Sequence, residues 1–438
     1  MSGRPNILLL TLHDAGRYLG CYGVRTVRTP NIDRIASEGM LFENAFSVSP
    51  KCSPSRSAVI TGRYPHQNGV LSIVHGHNAF RLHDGERRIG KIMTDAGYAT
   101  WLLGLQHEHD DPGDLGFAHV DVGYSLMDAP GKLRECLAGR SPGQPFYCQI
   151  GSPEAHRPWD RGWFPESGDL GVTVPAYLVD DAGTCRELAQ LQGVMEAVDG
   201  AIGEIAAALR EADCLDNTLL VLTTDHGLPF ARAKDTLYDA GTGVFLIMRG
   251  ARVERRGCRF DGLVSQIDLF ATFLDAARID PPDGASTSRS LLPLLRTGDM
   301  EERKAVFSEN NYSGCYDPIR AIRTRRYKYI RNFEGNPGPS IAPDYAMLAS
   351  HCGQGTRFLR SRKPEELYDL REDPAELHNL AGVAEYEQTR AGLEDALFSW
   401  MEQTGDPLLD GPLVSTAYRR TMKDVSRWRE QRQKSPMK

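Results

Sequence analysis

NILLLTLHD, Asn6 to Asp14, decides the fold. Its first seven residues show no alternation of apolar and polar side chains, so they read as a strand buried on both faces, the signature of a parallel sheet covered by helices. The strand ends in a histidine and an aspartate. A second stretch, TLLVLTTDHG from Thr218 to Gly227, repeats the arrangement: an apolar strand closing on Asp225-His226. Sheets of this kind bind ligands beyond the carboxyl ends of their strands, so the matching placement points to one shared site. Taken alone, an aspartate after a strand is more often a turn or helix cap.

Outward from these strands the chain alternates. Thr29-Pro30 offers a helix start, with Ile32, Ile35 and Ala36 at helical spacing and Gly39 as the stop. Ile89 to Ala96 reads as a helix, Ala99 to Leu103 and Pro145 to Ile150 as short strands, and Cys185 to Ala212 as a long amphipathic helix. After about residue 300 the pattern changes to Ala305–Ser308, an alternating Ile319–Ile330, and Glu366–Leu370, followed by a closing helix at Glu387–Gln403. The expectation is an α/β fold with a large mixed sheet flanked by helices over residues 1–300, and a smaller antiparallel-sheet subdomain over 301–438. Residues 331–364 read as an excursion between strands, and the basic C-terminal tail as a solvated helix.

A net charge of -7 over 438 residues argues against nucleic acid as a partner. A mean hydropathy of -0.40 and no long apolar run argue against a membrane role. The run after Pro5 is too short and abrupt for a secretory signal. Nine irregularly spaced cysteines fit reduced thiols, so the expected compartment is the cytoplasm. A homo-oligomer stays open.

One of those cysteines stands apart. Cys52-Ser-Pro-Ser-Arg56, in what reads as a tight turn, is followed by Thr61-Gly62-Arg63, and together they resemble the signature of the type I sulfatase family of the alkaline phosphatase superfamily. The resemblance extends along the chain in order. It takes in Thr29–Arg34, Gly97–His107, Ser152–Pro158, Thr223–Gly227, Lys234–Tyr238 and Glu366–Leu370. Within the family, His66–Gly69, His75–Leu82 and Leu228–Phe230 look most like the N-sulfoglucosamine sulfohydrolase (heparan sulfamidase) branch.

The resemblance implies an alkaline-phosphatase-like fold and a hydrolase of sulfate esters or sulfamates, with a sulfated carbohydrate or other small sulfate as substrate. It implies that a formylglycine-generating enzyme converts Cys52 to formylglycine, whose hydrated diol is the nucleophile. His13, Asp14, Asp225 and His226, with the modified Cys52, would hold one divalent metal; calcium is the first choice, with manganese, magnesium or zinc as alternatives. Arg56 would orient the diol, Lys234 and His156 would bind the sulfuryl oxygens, and His107 would act as base. Such a site suits the chemistry, because sulfate-ester cleavage builds negative charge that needs a cation and fixed donors.

Two positions depart from the family pattern. His13 stands where a first aspartate is usual, and added imidazole favours manganese or zinc. Leu105 in Gly104-Leu-Gln-His107 stands where a lysine is usual, so Arg63 or Arg157 would have to supply the missing charge. Leu105 keeps a phosphonate monoester or phosphodiester hydrolase in play. A non-catalytic glycan- or anion-binding relative is the remaining alternative, against which the joint retention of Cys52, Arg56, Asp14, Asp225, His107, His156 and Lys234 counts.

Overall fold

The computed structural model describes residues 3–75, 80–159, 162–281, 287–313, 315–334 and 362–415, together with 418, 419 and 423. The excursion expected at 331–364 and the basic tail therefore lie largely outside the described residues, as does His77.

A large mixed sheet dominates. Its strands are β1 (Asn6–Leu12), β2 (Met40–Phe46), β3 (Ala99–Gly104), β4 (His119–Val122), β5 (Phe146–Gly151), β6 (Thr218–Thr224), β7 (Gly243–Val244), β8 (Leu246–Gly250) and β9 (Cys258–Ser265). The order is β4-β3-β5-β1-β6-β8-β2-β7, with β9 beside β2. β1 sits at the centre, parallel to β5 on one side and β6 on the other. All seven of its residues are buried, which is why its sequence cannot alternate.

Successive β1 side chains feed opposite layers. Leu8, Leu10 and Leu12 pack with Leu188, Leu191, Val198 and Ile202 of the helix Ala182–Glu211. Ile7 and Leu9 face Met93, Phe270, Phe273 and Val59 on the other side. Helices on both faces bury the central strands β1, β5 and β6 completely, leaving their carboxyl edge as the place where polar side chains can gather. Among the described residues no helix is long and apolar enough to cross a membrane.

A second sheet, four-stranded and antiparallel, follows: β10 (Val306–Ser313), β11 (Cys315–Arg323), β12 (Tyr327–Asn332) and β13 (Glu365–Asp369). The helix Glu387–Thr404 closes it, setting Leu397, Trp400 and Met401 against Tyr316, Tyr329 and Leu367. The alternating Ile319–Ile330 is two strands rather than one. Thr324 turns the chain there, its backbone N–H donating to the Tyr327 carbonyl at 2.8 Å.

Candidate active site

The turn expected at Cys52 is the first turn of a helix, Cys52–Thr61. Pro54 sits early enough that its missing N–H removes no helical bond, and Gly62 ends the helix in the left-handed region at φ 69. Every residue of this helix is buried, so it carries no amphipathic stripe to reveal it. Cys52 thus stands at a helix N-terminus, where the backbone dipole favours negative charge.

β1 and β6 deliver the rest. His13 and Asp14 follow β1, with Asp14 held at φ 49, and Asp225 and His226 follow β6. Together with Cys52 their ligand atoms lie within 4.8 Å of one another, all buried. Asp14 Oδ1 is 2.8 Å from His13 Nδ1 and 3.0 Å from His226 Nε2. The Asp14 backbone N–H donates to Asp225 Oδ1 at 2.9 Å, tying the two strand ends together. Cys52 Sγ is 3.3 Å from His226 Nε2 and 3.9 Å from His13 Nδ1.

Two cations complete the charge balance. Arg56, one helical turn after Cys52, donates to Asp225 Oδ2 at 2.9 Å. Lys234 Nζ is 2.7 Å from Asp14 Oδ2. His107 and His156 approach from the ends of β3 and β5, their rings 5.3 and 4.7 Å from that of His13 between centroids. His156 Nδ1 faces the Arg157 carbonyl at 2.6 Å. His13, Asp14, Cys52, Arg56, His107, His156, Asp225, His226 and Lys234 therefore gather at this strand edge.

The electrostatics follow from the packing. Burial opposes ionisation of Cys52, yet His13, Lys234 and His226 outweigh it and hold the thiol well below its usual range. Burial likewise works against charge on His13, but Cys52, Asp225 and Asp14 push the imidazole up to about 9. Asp14 and Asp225 are held low against burial, Asp14 chiefly by Lys234 and Asp225 chiefly by His13. His156 differs: burial, then Lys234 and His13, lower its pKa.

A divalent cation fits this donor set. Two carboxylates and two imidazoles converge, and the buried His13 Nε2 has no hydrogen-bond partner among the described residues. Carboxylates suit hard ions, whereas the imidazoles shift preference towards manganese or zinc.

The arginines suggested as substitutes for the missing lysine point elsewhere. Arg157 donates to the Pro229 carbonyl at 2.8 Å and to Glu187 at 2.9 Å, its guanidinium 4.2 Å from the Trp159 ring centroid and 4.4 Å from that of Phe230. Arg63 faces Glu86 at 3.5 Å. His66 is buried against Glu309 rather than lining the site, while His75 does reach it, its ring 5.1 Å from His107.

Several supporting residues escaped the sequence reading. Gln266 accepts from Ser55 Oγ and donates to the Thr224 carbonyl, clamping the Cys52 helix to the end of β6. Asp235, at φ 67, pairs with Lys51 at 2.8 Å and donates its N–H to Pro50 O, turning the segment that carries Lys234 towards Cys52. A lysine and an aspartate flanking two motifs far apart in sequence give no pattern to find.

Comparison with known proteins gives a consistent picture. A family model described as Sulfatase matches residues 5–279. The chain is similar to N-sulphoglucosamine sulphohydrolase of Homo sapiens, 27% identical, the alignment covering 93% of this chain and 92% of the relative. It is also similar to an ulvan-active sulfatase of Formosa agariphila, 29% identical over 93% of this chain and 82% of the relative. Among solved structures, one in complex with its substrate D-glucosamine-2-N,6-O-disulfate shares the fold at a TM-score of 0.73 and 22% identity, over 93% of this chain and 99% of that one.

Proposed function

The chain belongs to the sulfatase family, whose curated relatives are sulfuric ester hydrolases, and from that premise we propose that it cleaves sulfate esters or sulfamates of a sulfated carbohydrate through a formylglycine made from Cys52. The observation that carries this reading is the position of Cys52: buried at a helix N-terminus, 3.3 Å from His226 and within a cluster of five ligand-bearing side chains.

In this reading a formylglycine-generating enzyme modifies Cys52, and the hydrated side chain supplies the nucleophilic oxygen. His13, Asp14, Asp225 and His226 would hold one divalent cation, which when bound would lower the pKa of that oxygen and offset charge on the sulfuryl group. Calcium is the first candidate on the carboxylates; manganese or zinc gains if both imidazoles ligate. Arg56 orients the modified side chain through the frame it shares with Asp225. Lys234 and His156 bracket the sulfuryl oxygens, one of them giving the leaving atom its proton. His107, beside Cys52 and His13, takes a proton from the modified side chain so that sulfate is released. The curated sulfamidase relative supports an N-sulfated sugar as substrate. Seven of the described cysteines are free thiols, and the cytoplasm stays the compartment this reading proposes.

Side-by-side rates test the reaction class. Protein made with a formylglycine-generating enzyme and loaded with a divalent metal should turn over glucosamine N-sulfate or an aryl sulfate faster than an aryl phosphodiester or phosphonate monoester. The reverse order would move the assignment to phosphorus esters, as Leu105 invites.

A further inference from the structure

The segment that carries Lys234 enters the candidate active site on an unusual backbone. Arg232 and Asp235, on either side of that lysine, both lie in the left-handed region, at φ 64 and 67. Residues other than glycine hold that conformation only where the surrounding structure fixes them, and such residues gather where a position matters for function. On the side facing Cys52 the hold is Asp235, whose N–H meets the Pro50 carbonyl and whose carboxylate meets Lys51. On the opposite side it comes from the small sheet and the turn that follows it.

Glu376 is the centre of that second hold. Buried and itself at φ 56, it touches both ends of the segment. Its backbone carbonyl accepts from Arg232 Nη2, and its carboxylate accepts the Asp239 N–H at 2.5 Å. Neighbouring strands complete the grip. Lys328 on β12 donates to Asp239 Oδ1 at 2.8 Å and stands 3.5 Å from Glu376 Oε1, while Arg323 on β11 reaches Asp239 Oδ2 at 3.2 Å. Tyr238, with the Arg232 guanidinium 4.1 Å from its ring centroid, donates to Glu366 Oε2 on β13 at 2.8 Å. The product of this grip is the place of Lys234 Nζ, 2.7 Å from Asp14 Oδ2.

Resting on the sulfatase reading, we propose that Glu376 is a positioning residue for Lys234: by closing segment 232–239 at both ends, it sets where the ammonium stands beside Asp14 and the sulfuryl oxygens. The small sheet thereby contributes to the reaction without touching substrate. A fixed cation loses much of its effect on a developing charge when it sits an ångström away from its place, so a slack segment lowers the rate while the fold holds.

A double-mutant cycle on full-length, aldehyde-bearing, metal-loaded protein tests this, with kcat/KM for an aryl sulfate or glucosamine N-sulfate as the readout. Lys234→Ala should lower kcat/KM about 10³-fold, as for removal of a preorganised charge donor. Glu376→Ala should lower it about 10²-fold, whereas Glu376→Gln, which keeps an acceptor for the Asp239 N–H, should stay within about fivefold of wild type. Added to Lys234→Ala, the Glu376→Ala change should cost no more than about twofold, because the group it positions is already gone. Arg232→Ala opens the other end of the segment at a half-buried position and should repeat this non-additivity, including where Glu376→Ala does not fold. Wild-type kcat/KM in a folded Glu376→Ala variant, or losses that multiply in the double variants, would overturn the proposal. Amide hydrogen exchange separates it from the reading beneath it: the Asp239 N–H should exchange at least about tenfold faster in Glu376→Ala than in wild type. Unmoved exchange overturns the clamp. Faster exchange, combined with no turnover of any sulfate by aldehyde-bearing wild-type protein, would instead strike the sulfatase reading and leave the clamp standing.

Discussion

Two buried clusters in this protein look alike on paper and differ in what surrounds them. One is His13, Asp14, Cys52, Asp225 and His226; the other is His66, Glu309 and Asp406, and in each the ligand atoms lie within 4.8 Å of one another. In the second, Arg320 forks onto Asp406 at 2.5 and 3.0 Å, while Glu309 accepts from the His66 backbone and ring and from Asn311. A guanidinium cannot lose its proton, so a permanent positive charge already fills that cluster. In the first cluster two of the neutralising cations are imidazoles, which can surrender protons to a metal, and the group among them is a thiol at a helix N-terminus. The sheet-edge cluster is built for chemistry. The other fastens the small sheet to the large one, since His66 precedes the junction and Glu309, Arg320 and Asp406 follow it.

Breaking each cluster should therefore give opposite phenotypes. Cys52→Ala should lower turnover of a sulfate ester on the order of 10⁵-fold, with a denaturation midpoint close to that of wild type. Retained turnover would erase the distinction. Asp406→Asn should do the reverse: leaving Arg320 buried without its carboxylate costs about 3–5 kcal/mol in urea unfolding, while the rate per folded molecule stays unchanged.

A divalent ion sharpens the contrast. At a hundredfold excess over its dissociation constant it should stabilise the wild type by about 2.7 kcal/mol, a gain that Asp225→Asn abolishes and Asp406→Asn keeps. The smallest effect concerns acid. Burial opposes ionisation of Asp406, but Arg320 and then His66 outweigh it and hold the carboxyl below its usual 3.8. A folded-state pKa below the unfolded one means this contribution is complete above pH 3.8 and drains away as pH falls through the lower folded value. Asp406→Asn should consequently flatten the acid limb of the stability curve, measured by unfolding at successive pH values.

Much of this was legible in the sequence because the central strands are buried on both faces. β1 and β6 announce themselves as unbroken apolar runs, and their polar ends mark the site. The helix Ala182–Glu211 was equally plain, since one face is buried and one solvated. The Cys52 helix was not, because burial on all sides erases periodicity. The hairpin at Thr324 was hidden for a different reason: a polar turn between two alternating strands continues their alternation. His66 could not be assigned to the junction, as its partners lie more than two hundred residues away.

The central claim is that Cys52 is the precursor of a nucleophile. Mass spectrometry of the tryptic peptide Cys52–Arg56, from protein made with a formylglycine-generating enzyme, tests it most directly. An aldehyde at Cys52, trapped by a hydrazine reagent, is the predicted result. An intact thiol under those conditions would contradict the account.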